Sequence, residues 1–342
     1  TTPEVCELTE ARTQRAALGI GMSTDTGARV EGTYRRALLF GRPYTLSSGA
    51  SVDRTRSAAF ADLLLPRRTD GWQDSLGVLR ERTDIEDQRT SRWAAGAKRM
   101  SSRDSASASY ETLFALTLED ELRSLADGSA PQHNQVLAGS WTWTRRAVDE
   151  VTQPTRGDLL TLSGTLGLQR GSLGQVLQQS FVRLYGRYTR WIPLTAKDRL
   201  IVRGEAGHVF VKDAATVPNA YLFRTGGVNS VRGYAYDSLG VRVGTATTGS
   251  QELLVGSGEY VRWFGADWGG ALFGDIGDAA DDLRHVRLAR GYGFGARYRT
   301  LAGPLALSRA TAMRDRGCMR DLGVAGKAAP WAARPPPPCG WQ

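Results

Sequence analysis

Along most of this chain apolar side chains recur at every second position. Leu160, Leu162, Leu166 and Leu168 alternate with Thr161, Ser163, Thr165 and Gln169, and Val182, Leu184 and Tyr188 alternate with Phe181, Arg183, Tyr185 and Arg187. Later, Tyr292, Phe294, Ala296 and Tyr298 alternate with Gly291, Gly293, Gly295, Arg297 and Arg299. A period of two sends alternate side chains to opposite faces of a strand. Each segment therefore has one apolar face and one face of arginine, glycine and hydroxyls. The pattern predicts strands over 13–23, 27–37, 42–52, 55–65, 72–83, 87–99, 105–118, 134–146, 157–169, 179–191, 198–210, 251–264, 267–276 and 290–300, with a fifteenth starting near Pro304. Turn residues mark the joints, as in Asp25-Thr26-Gly27, Asp127-Gly128-Ser129 and Arg170-Gly171-Ser172. The connection 211–250 is far longer than the others, and such lengths go with function or disorder.

Many long strands with one polar face fit an all-β, antiparallel transmembrane β-barrel around a wet lumen. Mean hydropathy is only −0.33 and 41% of the 342 residues are hydrophobic, but lipid-facing and lumen-facing residues average out in a barrel. A run of about 18 apolar residues is absent, which excludes an ordinary transmembrane helix. Forty glycines and nine tryptophans fit the same class.

The net charge of +9 does not point to nucleic acid. Six Lys/Arg and two Asp fall within 308–342, and the remaining charge is dispersed without an aromatic–basic cluster. Cys6, Cys318 and Cys339, like His133, His208 and His285, are too scattered for a disulfide framework or a metal site. Asp84, Glu86 and Asp87 read as a solvated loop, and Ser23 and Ser257 have no base in view. An enzyme is not expected, nor any cofactor. No signal peptide opens the chain, so Thr1 is expected to begin a fragment or a mature segment.

Residues 223–240 contain Val231-Arg232-Gly233-Tyr234. This stretch resembles the signature loop of the bacterial surface antigen superfamily, which comprises outer-membrane protein assembly factors and two-partner secretion transporters. In that superfamily the loop joins the eleventh and twelfth strands and folds back into the lumen. Counting alternating segments independently places Arg232 after the eleventh strand. Three further stretches keep the superfamily's order: Ser257-Gly258-Glu259-Tyr260, Phe273-Gly274-Asp275-Ile276-Gly277, and Gly293-Phe294-Gly295-Ala296-Arg297-Tyr298 followed by Gly303-Pro304-Leu305. Leu18 to Gly27 is similar to the first barrel strand of the TamA (translocation and assembly module) family within it.

The physical reason for the set is charge pairing. An arginine on a loop inside a barrel needs partners when it is partly desolvated. Glu259 and Asp275 are expected on adjacent strands, both facing inward, where either accepts a forked guanidinium bond. Gly233 permits a tight turn beside the wall, and Tyr234 is expected to pack against wall glycines such as Gly274. The lumen-loop motif is thus Val231, Arg232, Gly233 and Tyr234, with Glu259, Phe273, Asp275 and Gly277 as its wall partners.

The resemblance implies a sixteen-strand barrel over 11–307 in the cell outer membrane of a Gram-negative bacterium. It implies assembly of outer-membrane proteins, including autotransporters, with phospholipid transport as a further role. The implied partners are a TamB-like inner-membrane-anchored protein, unfolded outer-membrane protein clients and the lipid bilayer. The alternatives are a two-partner secretion polypeptide transporter and a truncated, inactive barrel. Residues 1–10 resemble the end of a periplasmic POTRA (polypeptide-transport-associated) domain. From 308 onward alternation stops, and Pro335 to Pro338 cannot sit in a sheet. An irregular basic tail over 308–342 is expected. One choice of codons for Ala310 to Met313 (GCT-ACG-GCC-ATG) and for Gly317 to Arg320 (GGC-TGC-ATG-CGN), read with one common offset of one base, gives Tyr-Gly-His and Leu-His-Ala. Such barrels carry stretches of that kind in their closing strands. The tail is therefore expected to be frameshifted and the barrel incomplete at its C-terminal side.

Overall fold

The computed structural model describes residues 12–170, 179–300, 303–314 and 317–326. The first eleven strands are β1 (Gln14–Ser23), β2 (Gly27–Arg36), β3 (Thr45–Val52), β4 (Arg56–Leu64), β5 (Trp72–Ile85), β6 (Gln88–Asp104), β7 (Ser109–Leu125), β8 (Gln132–Val148), β9 (Gly157–Arg170), β10 (Gln179–Pro193) and β11 (Asp198–Phe210). A long loop follows, containing the short hairpin β12 (Val241–Val243) and β13 (Ala246–Thr248). The wall resumes with β14 (Glu252–Trp263), β15 (Trp268–Ala280), β16 (Ala289–Thr300), β17 (Gly303–Arg314) and β18 (Gly317–Gly326). Among the described residues, sixteen strands form one antiparallel barrel in chain order, with β11 pairing directly with β14. Helical structure there is limited to three-residue 3-10 turns, and no helix is long and apolar enough to cross a membrane.

The alternation sorts side chains as the pattern requires. Leu18 is 88% exposed, Leu166 64% and Phe294 61%, all on the outer face. Phe181 and Arg297 on the inner face are buried. A soluble protein rarely exposes so continuous an apolar surface, whereas a barrel in lipid buries it in acyl chains. The joint between β5 and β6 is a two-residue turn, with Glu86 at φ 51° and Asp87 at φ 60°. Two positive φ values match the twist of the flanking strands.

Two expectations are corrected. β6, β7 and β8 each run to seventeen residues, longer than the alternation suggests. Glu119, Glu121 and Arg123 continue the inner face of β7 beyond Leu118, and charged inner residues conceal a strand from hydropathy. The irregular tail from 308 is also corrected, because β17 continues to Arg314 and β18 pairs with it from Ala306↔Ala325 to Arg314↔Gly317. In β17 Leu307 and Met313 face outward while Ala310 and Ala312 are buried inside. Alanine on an inner face weakens the apolar–polar contrast on which the reading relied. Residues 327–342, with the tetraproline, and the POTRA-like residues 1–10 lie outside the described residues.

The two ends of the wall meet at one junction. β1 pairs with β2 along its whole length, from Gln14↔Arg36 to Ser23↔Gly27. It meets β18 only at Met22↔Gly326 and Ser23↔Ala325. The other residues of β1, 14–21, have no ladder partner on that side among the described residues.

Candidate functional site

The connection between β11 and β14 turns inward and packs against the inner face of the wall. Phe223, Val231, Tyr234 and Leu239 are buried there, against Val209 and Phe181 of the wall and near Ala289 and Ala312. The loop is organised by its own backbone. Phe223 bridges Ser250, Thr225 bridges Leu239, and Gly227 N–H donates to the Tyr234 carbonyl at 3.0 Å. Gly233 lies at φ +96°, and a Cβ there would stand 2.9 Å from the Ala312 nitrogen of β17. The position requires glycine for both its conformation and its closeness to the wall.

Arg232 is the centre of the site. Its backbone N–H, Nε and Nη2 donate to Asp275 of β15 at 3.1, 2.6 and 2.8 Å. Nη1 donates to Glu259 of β14 at 2.5 Å, and the guanidinium carbon lies 3.5 Å from the Phe273 ring centroid. Glu259 accepts in turn from Arg297 of β16, at 3.0 Å from Nε and 2.6 Å from Nη2. Ser257 Oγ donates to Asp275 at 2.6 Å. The Asp275 side chain is fully buried, and burial without partners would be costly for each charge. In this chain of two arginines and two carboxylates every charge has an opposite one. Burial alone would pull the Arg232 pKa down, yet the hydrogen bonds and charges of Asp275 and Glu259 hold it above the ordinary arginine value.

The wall is shaped to admit this loop. A Cβ on Gly291 would fall 2.0 Å from the Arg232 carbonyl oxygen, and one on Gly277 would fall 2.9 Å from Val231 Cγ2. The structure thus brings Val231, Arg232, Gly233, Glu259, Phe273, Asp275 and Gly277 together. Tyr234 belongs to the same buried cluster, but its expected contact with Gly274 does not form. Gly274 lies on the outer face of β15, with nothing within 4 Å of an added Cβ. In a strand the face alternates, and Asp275 inside forces Gly274 outside.

Sequence reasoning missed a second attachment on the opposite wall. Both oxygens of Glu121 accept from the Asn219 N–H at 3.0 Å, and the Tyr221 hydroxyl donates to Glu119 at 3.2 Å. Gln169 Nε2 donates to the Thr216 carbonyl at 2.7 Å. The signal was present as Glu119, Glu121 and Arg123 at a spacing of two. A third contact ties the loop to the β1–β2 turn, where Asp25 accepts from Val228 N–H at 2.9 Å. Asp237 of the loop has its pKa raised by burial, with Asp25 and Glu86 adding to the rise and Arg224 opposing it. Among the described residues no group of three His, Cys, Asp or Glu is placed to hold a metal.

Comparison with known proteins agrees with this architecture. The Omp85 superfamily domain matches residues 14–318. The fold is similar to that of BamA from Haemophilus ducreyi lacking POTRA domains 1–3, with a TM-score of 0.76 at 16% identity, over 92% of this chain and 70% of that one. It is also similar to CdiB from Acinetobacter baumannii, with a TM-score of 0.55 at 13% identity, over 91% of this chain and 59% of that one. CdiB from Escherichia coli gives a TM-score of 0.53 at 11% identity, over 93% and 63%. The chain therefore spans less than two thirds of either CdiB. With its domain matched over nearly the whole barrel, this chain belongs to the Omp85 superfamily of Gram-negative outer-membrane β-barrels.

Proposed function

We propose that this barrel is a TamA-like factor that assembles other outer-membrane proteins. The observation that carries the reading is the seam. There the first and last described strands of the wall meet, at Met22↔Gly326 and Ser23↔Ala325 among the described residues. An open strand edge is a template for an incoming strand. In lipid it must be covered or exchanged, because unpaired N–H and C=O groups there cost several kcal/mol each.

The lumen loop supports this role mechanically. It touches both flanks of the seam, through Asp25 beside β1 and through Gly233 against Ala312 of β17. Its Arg232 cluster braces β14, β15 and β16. Opening is thereby confined to the β1–β18 junction while the rest of the wall keeps its curvature. By the same resemblance, the partner is a TamB-like inner-membrane-anchored protein, and the clients are unfolded outer-membrane proteins such as autotransporters.

The test is site-specific photo-crosslinking in membranes during client synthesis. Probes at Ile20 and Gly21 of β1 should capture the client, and a Ser23→Cys/Ala325→Cys disulfide across the seam should suppress that capture. Capture only from lumen positions such as Arg183 and Arg187 would instead support a secretion transporter. No capture from either set would identify an inactive barrel.

A further inference from the structure

The outer surface of β3–β8 carries a feature that the assembly role does not use. Across β5, β6 and β7 the cross-strand rows Leu76–Ala97–Leu116 and Val78–Ala95–Leu118 face outward. The small Ala95 and Ala97 lie between flanking leucine and valine side chains, forming a shallow apolar depression of about 570 Å3. The next row toward the end bearing the long loop is Arg80–Trp93–Asp120, and the one beyond is Arg82–Ser91–Leu122. Outward residues thus change from wholly apolar to mainly polar between two adjacent rows. Trp93, 56% exposed, stands in the first polar row, where aromatic girdles mark the edge of the hydrocarbon.

The charges of this border are unequally spent. Asp84 is taken by Arg89, at 2.8 Å. Asp120 accepts from Gln135 Nε2 at 2.8 Å and lies 2.9 Å from His133 Nε2. Arg80 only stacks on Trp93, 4.6 Å from its centroid, and Arg82 is exposed. Neither arginine has an acidic partner among the described residues. Two positions apart on one strand, their Cα atoms are about 6.7 Å from each other. Unpaired arginines facing lipid are costly unless they meet water or anionic headgroups.

We propose that Arg80 and Arg82, with the depression below them, bind a phosphorylated, multiply acylated glycolipid of the outer leaflet. Guanidinium groups fit phosphate oxygens bidentately. Barrels place their longer loops on the outside of the cell, so the end bearing 211–251 puts this border in the outer leaflet. The depression reaches from Leu46 of β3 to Leu137 of β8. That is about five strand spacings, or roughly 24 Å, which is broader than a single alkyl chain occupies and suits several chains under one headgroup. Trp93 beside Arg80 closes the flank of the headgroup site.

Native mass spectrometry of the full chain, released from detergent and titrated with lipid, tests this. The probes are bisphosphorylated hexa-acyl lipid A, the same glycolipid after phosphatase treatment, and phosphatidylglycerol. Removing the phosphates should weaken binding by about tenfold or more, and Arg80→Gln/Arg82→Gln should do the same. Arg89→Gln, whose charge is already engaged by Asp84, should change binding less than about twofold. Equal retention of the phosphorylated and dephosphorylated glycolipids overturns the assignment, as does phosphatidylglycerol binding as tightly as lipid A. If the arginine variant fails to fold, as read on a heat-modifiability gel, the phosphatase comparison on the unaltered protein decides alone.

Discussion

Replacing Asp275 by alanine removes the acceptor of three Arg232 hydrogen bonds and one from Ser257. Breaking a buried ion pair from one side costs about 3–5 kcal/mol, because the remaining charge stays buried. Here Glu259 still faces the Arg232 guanidinium and the Phe273 ring still lies beneath it. The low end applies, about 3 kcal/mol, which is about two powers of ten in the equilibrium between docked and released loop. Limited proteolysis of the full chain in detergent reads that equilibrium directly when reclosing outpaces cleavage. Cleavage within 211–251 should accelerate by about a hundredfold, while the heat-modifiable band of the folded barrel persists. A double variant, Asp275→Ala/Arg232→Met, should be less damaged than the sum of the two single changes, since no charge is then stranded. An acceleration below about threefold, worth some 0.65 kcal/mol, would refute the idea that this pair holds the loop.

Other outcomes follow from the same geometry. Gly291→Ala should release the loop at a cost of about 2–3 kcal/mol through its clash with the Arg232 carbonyl, whereas Gly274→Ala, pointing into open space, should leave proteolysis unchanged. Glu121→Ala should free the 213–221 segment for cleavage by stranding the Asn219 N–H, an effect of about 1–3 kcal/mol. Asp237 has a docked pKa raised above 3.8. The docked state therefore holds the proton more tightly than the released one, and this contribution is complete below the released pKa and fades as pH rises through the docked value. Loop protection should fall over that interval, and Asp237→Asn should flatten the profile. A frameshift near codon 308 predicts that the neighbouring frame of the gene encodes two alternating strands ending in an aromatic residue; a gene lacking them removes that explanation.

The wall was legible because its outer face is decided by lipid. Leucine, valine and phenylalanine at every second position leave no other strand face to bury. The Arg232 cluster was legible because the stretches bearing Arg232, Glu259 and Asp275 resemble the superfamily's motifs in order, and counting strands placed Arg232 after the eleventh. The upper parts of β6–β8 and the second attachment were not, since Glu119, Glu121 and Arg123 are charged inner-face residues buried against a loop distant in sequence. Nothing local distinguishes a charged lumen face from a polar turn. β17 was obscured for a related reason: Ala312 on its inner face lies close against Gly233 of the loop, and size selection has no period of its own.

The junction of β1 with β18 also orders events in time. Every other junction of the wall joins strands that are consecutive or separated only by the loop hairpin, and Arg232 meets Asp275 across 43 positions. The seam joins opposite ends of the described chain, about three doublings of separation further, an added closure entropy of roughly 1.8 kcal/mol. The loop is therefore captured while the sheet is still a curling ribbon, and the ring shuts last around an occupied interior. By microscopic reversal the same junction is the first to part, with the loop still clasped when it does.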